Sequence, residues 1–487
     1  MKLHRGLLAL LLACAIPAGP ASALPHWSSD QIRAARPLAA EGAMVFDLRT
    51  ETIESGKPSK VVLTTVTLAP TFSEATSGQG HVVEDHSLCR TFTWNEAARV
   101  VGDSSCYALP AFRVIELRNR QVLATILAKA DSPQAPEPYW DEANLGLQLG
   151  DEKRLVAHTS GGATEFRLGK AVPVKITGTA GSLTPDEMGR FVRYLARNAS
   201  LHPQVRRDIA ERGTLPAQIE SHDAALGVMR STRVMTLSNL RRETVSYPLP
   251  AGLPSEVRVS AAKGTTHRDA AIRNTLLAID GRPGSPKPTL RELLDGIKAT
   301  QNPMQAYLSF MNTTQQYAAE MTGPDSRTII NEIGPSIRII MQNPDVAQFE
   351  RANGLAGDAR AAGNREASAR YLAEARDLNY LRFGTFRNVT YANLARSTRD
   401  TKTWDPSIAA AMSAQVVDNY WIHIAAYPWA SNAFTDAGDA YFESFDTPDA
   451  WLAYDLGRAV DPEWRSGVMA RVGVMEADLR ARHPEFF

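Results

Sequence analysis

The feature that most limits what this chain can become is a change of hydrophobic period near residue 260. Between Met44 and Pro250 the apolar residues come in short runs, rich in β-branched side chains and set off by Gly, Pro and Asn, which is the pattern of strands. From about Arg268 onward they recur every three or four residues, the pattern of helices that pack through one face. The 487 residues also exceed the roughly 100–200 of a usual domain. We therefore expect a multidomain α+β protein, with a mainly-β domain over residues 24–260 and an α-helical domain over 261–487.

In the first part, Val45–Leu48 and Val61–Leu68 read as strands, and further strands are expected at 153–158, 164–168, 172–177, 216–220, 232–237 and 243–248. The runs 112–117 and 122–127, separated by Arg118-Asn119-Arg120-Gln121, read as a β-hairpin. A helical insertion interrupts this region at about 183–212. Thr184 is placed to cap it, with Pro185 at the first helical position and Asp186 and Glu187 in the first turn. A second short helix from Pro203 to Arg212 stops at Gly213.

In the second part, Ile272, Leu276 and Leu277 mark one helix, Leu290, Leu293, Leu294 and Ile297 another, and Tyr307, Leu308 and Met311 a third. Near the end, Phe434, Ala437, Gly438 and Tyr441 share one helical face, and Ala450, Tyr454 and Gly457 share another. Asp446, Thr447 and Pro448 break the chain between them, and Asp461 and Pro462 end the second helix. Over 431–464 these spacings resemble the tetratricopeptide repeat, W-x2-L-G-x2-Y then A-x3-F then P. Gly438, Tyr441, Ala450 and Pro462 match outright; Phe434, Ala437 and Tyr454 stand at the Trp, Leu and Phe places. A weaker unit spans 349–382, with Ala359 and Ser368 off the pattern. The resemblance implies an α-helical solenoid of tetratricopeptide type, irregular in register, that binds a protein or peptide through a concave surface without a cofactor. The final helix, with Val468, Val472, Met475 and Leu479 on one face, is expected to cap the stack.

The first residues, Met1-Lys2-Leu3-His4-Arg5, then an apolar run to Ile16 and Ala21-Ser22-Ala23, read as a secretory signal peptide cleaved after Ala23. The expected location is the periplasm or the extracellular space; the alternative is a lipoprotein anchored at Cys14, since Leu11-Leu12-Ala13-Cys14 faintly resembles a lipobox. Cleavage removes two of the 53 basic residues and none of the 53 acidic ones, leaving a net charge of −2, so nucleic acid is not an expected partner. No later run approaches the roughly 20 apolar residues of a spanning helix. The cysteines then remaining, Cys89 and Cys106, are an even pair in an oxidising compartment and are expected to form a disulfide. They lack the paired C-x2-C spacing of a metal site.

Local motifs for catalysis are weak. His81, Glu84, Asp85 and His86 are dense in acid–base groups, but on a strand His81 and Asp85 face away from Glu84 and His86. Ser260-Ala261-Ala262-Lys263 spells S-x-x-K without its companion motifs, and Ser160-Gly161-Gly162-Ala163 reads as a hairpin turn. The aromatic concentration between Trp404 and Trp464 suggests a ligand surface instead, with Tyr420, Trp421, His423, Trp429 and Phe442 as its candidates. No catalytic residue and no metal ligand is assigned. The expected function is binding of a protein or peptide partner, with a hydrolase whose active site lies in the β-rich domain as the alternative.

Overall fold

The computed structural model describes residues 27–36, 38–54, 56–95, 100–129, 138–148, 154–199, 201–225, 228–250, 267–279, 289–301, 303–324, 326–364, 366–368, 370, 371, 374, 420, 421, 424, 431–443, 445–460 and 467–487. The leader with Cys14, the S-x-x-K segment, His423, Trp429 and Pro462 lie outside the described residues. The chain divides into two compact units: Met1–Arg258 together with Asp478–Phe487, and Val259–Ala477. The N-terminal half holds a large antiparallel sheet and the C-terminal half several helices, a mixed α+β protein.

The first unit is built on strands β1 (Glu41–Glu54), β2 (Lys60–Leu68), β3 (Phe72–Ser77), β4 (Gly80–Asp85), β5 (Arg90–Asn95), β6 (Val100–Ser105), β7 (Val156–Ser160), β8 (Ala163–Leu168), β9 (Ala171–Ser182), β10 (Thr214–Ala225) and β11 (Val228–Val245). Their order in the sheet is β6-β5-β4-β3-β2-β1-β11-β10-β9-β8-β7, every neighbouring pair antiparallel. The chain thus meanders outward from the central β1 to one edge, resumes at the other edge, and returns to close against β1. Gly161 and Gly162, both with positive φ, form the turn between β7 and β8. The strands expected at 232–237 and 243–248 are one strand, β11. Asn239, at φ 53°, accompanies a register shift opposite β1 there, so the polar punctuation marks a bulge and not a break.

Helix α1 (Ser29–Ala35) opens the described chain, and α2 (Ala108–Lys129) and α3 (Pro138–Leu145) follow β6. The hairpin expected over 112–127 is wrong: this stretch is the body of α2. Its apolar run also satisfies a three-residue period, since Ala108, Ala111 and Leu117 are buried with Val114 between them. The intervening Arg118-Asn119-Arg120-Gln121 holds no Gly or Pro to reverse the chain, and Arg120 reaches back one turn to Glu116 at 2.7 Å. Short apolar runs are ambiguous on period alone, and here helix-favouring tertiary contacts prevail.

The helical insertion is α4 (Pro185–Asn198) and α5 (Pro203–Arg212). A capping box starts α4: the Glu187 N–H donates to Thr184 Oγ1 at 3.3 Å, and the Thr184 N–H to Glu187 Oε2 at 2.8 Å. Gly213, at φ 63°, ends α5 in the left-handed region. Met188, Phe191, Tyr194 and Leu195 of α4 are buried against one face of the sheet, on Met44, Phe46, Leu48, Val66, Leu68, Met235 and Leu237. On the opposite face, Phe72, Val83, Phe92 and Trp94 pack with Ile32 of α1 and Tyr247.

Cys89 and Cys106, flanking the β5–β6 pair, lie at disulfide distance, with Cα atoms 4.9 Å apart. Beside them the last residues of the chain are docked into the first unit. Phe486 is 1% exposed, and its carbonyl accepts from Arg197 Nη1 at 3.1 Å. The Arg113 guanidinium stacks 5.2 Å from the Phe486 ring, and burial, with Arg206 and Arg197 close by, lowers its pKa to about 10.

In the second unit, α6 (His267–Ile279), α7 (Leu290–Ala299) and α8 (Pro303–Gln316) follow one another, then α9 (Ala318–Thr322), α10 (Ser326–Met341) and α11 (Pro344–Ala361). Leu294, Ile297, Met304, Tyr307, Ile333, Val346 and Phe349 form the common core of α7, α8, α10 and α11. Later come α12 (Ser431–Glu443), α13 (Thr447–Val460) and α14 (Gly467–Arg482), whose residues from Asp478 onward are counted with the first unit. Among the described residues, no helix is long and apolar enough to cross a membrane.

Candidate binding groove

The sheet face that carries α4 changes character along its strands. At one end its inward residues are Met44, Phe46, Leu48, Val66 and Leu68, under the helix. Beyond the C-terminal end of α4 the same alternation brings up Thr50, Thr52, Thr64, Ala75, Ser77, Val82, Thr93, Arg233 and Met235. These residues line an open groove of about 650 Å³, with Tyr194, Asn198 and Ala199 as the wall supplied by the helix. That volume lies within the roughly 300–1,000 Å³ of small-ligand sites.

Register explains the lining. Thr50 pairs with Val62 on one side and Met235 on the other, and Thr52 pairs with Arg233, so hydroxyls, one thioether and one guanidinium sit in adjacent rows. The β3–β4 and β5–β6 hairpins bound the groove with Gln79, Gly80 and Asn95. Gly80, at φ 127°, has no room for a side chain, because a Cβ would collide with the Trp94 carbonyl. Gly102 leaves space beside Thr93, whose Oγ1 would lie 2.5 Å from a Cβ at that position.

Deep behind the groove, Glu84 is neutralised by Arg197 of α4 at 2.7 Å and accepts from Ser73 Oγ at 3.0 Å. Burial, with the Glu84 charge second, raises the Tyr194 phenol well above its ordinary pKa, so it stays neutral. His81 stacks flat on Trp94 at 4.6 Å and meets Glu74 Oε1 at 3.0 Å. Asp85 accepts from Arg36 at 2.6 Å on the other face of the sheet. Burial, reinforced by Arg193, lowers the His86 pKa to about 4. The dense His81–His86 group is therefore divided: His81 and its stacking partner Trp94 line the groove, and Glu84, Asp85 and His86 make separate contacts elsewhere. A fully buried pair elsewhere, His202 Nε2 with Glu142 Oε2 at 3.1 Å, is out of reach of any solute, and His202 Nδ1 caps α5 by accepting from the Gln204 N–H. Among the described residues, no group of His, Cys, Asp and Glu is arranged to hold a metal ion.

The aromatic candidates of the second unit lie inside it. Tyr420 and Trp421 are 6% and 1% exposed, and Trp421 Nε1 donates to Tyr441 Oη at 2.6 Å. Phe442 is half-buried, its ring 5.9 Å from that of Trp451. Phe434, Ala450 and Tyr454 are buried between α12 and α13, and a Cβ on Gly438 would collide with the Tyr454 ring. Tyr454 Oη donates to Asp439 at 2.8 Å.

Sequence reasoning missed the groove residues. The signal available was the switch along β1, where the positions that read Met44, Phe46 and Leu48 continue as Thr50 and Thr52. No family model matches the chain, and no curated protein matches it in sequence.

Proposed function

We propose that this is an exported binding protein that takes a small ligand into the groove of its first unit and does no chemistry on it. The observation that carries this reading is the lining itself: among the described residues it offers hydroxyls, amides, apolar surface, the Arg233 guanidinium and the His81 ring, and neither a carboxylate nor a thiol. A hydrolase needs a nucleophile or activated water with a base in reach; His81, the imidazole of the lining, has its Nδ1 engaged by Glu74 and Thr76 and its ring flat on Trp94, and we read it as part of the groove wall. The helical unit, with its tetratricopeptide-like pair α12 and α13, is the part we assign to a protein or peptide partner. Export is supported by the leader-like start and by two cysteines at disulfide distance, which suit an oxidising compartment.

The test of the groove uses the neutral fluorophore N-phenyl-1-naphthylamine. It should bind the full-length protein saturably, and Thr64→Trp, which places an indole in the middle of the floor, should abolish that binding while the circular dichroism spectrum stays unchanged. Equal binding by both proteins sinks the groove reading. For export, N-terminal sequencing of protein isolated from outside the cytoplasm should begin at Leu24; an intact leader there contradicts it.

A further inference from the structure

Arg233 is the groove's unsatisfied charge. It is half-buried on β11, lines the groove, and makes no hydrogen bond or ion pair with the described residues. Its register partners on that face are Thr52 of β1 and Ser221 of β10, both uncharged. Of the acids on those two strands, Glu51 and Glu220 each pair with Val234, one position along, so alternation puts them on the other face, while Glu54 and Asp223 both pair with Ser231, two positions along, and Glu54 is held by Lys57. Glu84, the carboxylate behind the groove, is already held by Arg197. The arginines buried in this unit each meet a carboxylate: Arg36 meets Asp85, Arg90 meets Asp103, Arg197 meets Glu84 and Arg206 meets Glu485. A half-desolvated guanidinium with hydroxyls around it and no counter-ion is an arrangement that favours an oxyanion, which it can bind through two parallel N–H donors.

Resting on the groove reading above, we infer that the ligand carries an oxyanion, a carboxylate, sulfonate or phosphate, which Arg233 holds at one end of the groove. The rest of the ligand is a compact body with polar substituents that lies over Thr50, Thr64 and Met235. A plain alkyl chain leaves the hydroxyls of Thr50, Thr52 and Thr64 without partners and is the poorer match.

Two probes with the same ring system separate the claims. N-phenyl-1-naphthylamine is neutral, and 1-anilinonaphthalene-8-sulfonate carries an oxyanion. The anionic probe should bind full-length protein more tightly, and Arg233→Gln should weaken it about tenfold or more while leaving the neutral probe within about twofold, the size expected where no charge is involved. Raising salt should weaken the anionic probe alone; this readout needs no variant and stands even if Arg233→Gln disturbs the sheet. Displacement of the bound sulfonate by benzoate or phenyl phosphate, but not by benzyl alcohol, supports the inference and tells carboxylate from phosphate. If the neutral probe binds and Thr64→Trp blocks it, yet charge and salt make no difference, the oxyanion inference is overturned and the groove reading survives. If neither probe is sensitive to Thr64→Trp, both fall.

Discussion

The two ends of one sheet face make the most instructive comparison in this molecule. Strands β1 and β2 run unbroken beneath α4 and past it, with the same twofold alternation. Under the helix the inward positions are Met44, Phe46, Leu48, Val66 and Leu68; beyond it they are Thr50, Thr52 and Thr64. The pairing of β1 with β2 keeps one register through both ends. The helix length does, because α4 closes at Asn198 and leaves the last rows uncovered. Stability is thereby assigned to one end and accessibility to the other, and side chains follow that division.

Four variants break or sharpen this contrast. Phe46→Ala should have the largest effect, about 3–5 kcal/mol of stability. Phe46 is fully buried and meets Phe191 and Tyr194 edge-on at 5.8 and 6.2 Å. A denaturant midpoint close to that of the wild type contradicts a close-packed covered end.

Replacing Cys89 and Cys106 with serine should cost about 3 kcal/mol under oxidising conditions and nothing in reductant, for a link spanning 17 residues. The pair ties the strands at the covered end, so binding of the neutral probe should persist below the melting transition. Loss of probe binding in a still-folded variant shows that the two ends are not separable.

Glu187 anchors the start of the covering helix. Its hydrogen bonds with Arg242 and with the Thr184 N–H hold its carboxyl at about 2, below the ordinary 4.5, against the opposing effect of burial. A depressed folded-state pKa means the contribution is present above 4.5 and is lost as pH falls toward 2. Glu187→Gln should therefore destabilise by about 1–2 kcal/mol at pH 7, and the difference from wild type should close between pH 4.5 and 2. A constant difference across that window removes the carboxylate from the account.

Thr50→Ala, two pleats along from Phe46, should change stability by no more than about 0.5 kcal/mol while weakening probe binding. A loss comparable to that of Phe46→Ala erases the distinction between the ends.

Much of this architecture is legible in the sequence where local chemistry and tertiary structure agree. Thr184, Pro185 and Glu187 announce α4, Gly213 announces its neighbour's end, and Ser160-Gly161-Gly162-Ala163 announces a tight turn, because each is a backbone requirement met by residues close together in the chain. The stretch 112–127 misleads because its apolar residues satisfy both periods, and only contacts with distant residues such as Ala196 and Phe486 decide between them. The groove is hidden for another reason. Thr50, Thr93, Asn198 and Arg233 lie on four elements scattered over nearly two hundred residues, and what unites them is the place where a helix stops. The aromatic residues Tyr420 and Trp421 attract notice in the sequence, yet their burial is a matter of neighbours brought in by α12.

The docking of Phe486 beside Arg113, Arg197 and Arg206 carries a kinetic consequence. The helical unit is inserted between β11 and the ten residues that finish the first unit. A ribosome releases the chain from its N-terminus, so the eleven strands emerge long before the segment that packs on their arginine cluster. The guanidinium groups of Arg113, Arg197 and Arg206 wait for a ring and a carbonyl more than two hundred residues away. Contacts of such sequence separation are slow to form, and a nascent first unit remains incomplete until Phe486 arrives.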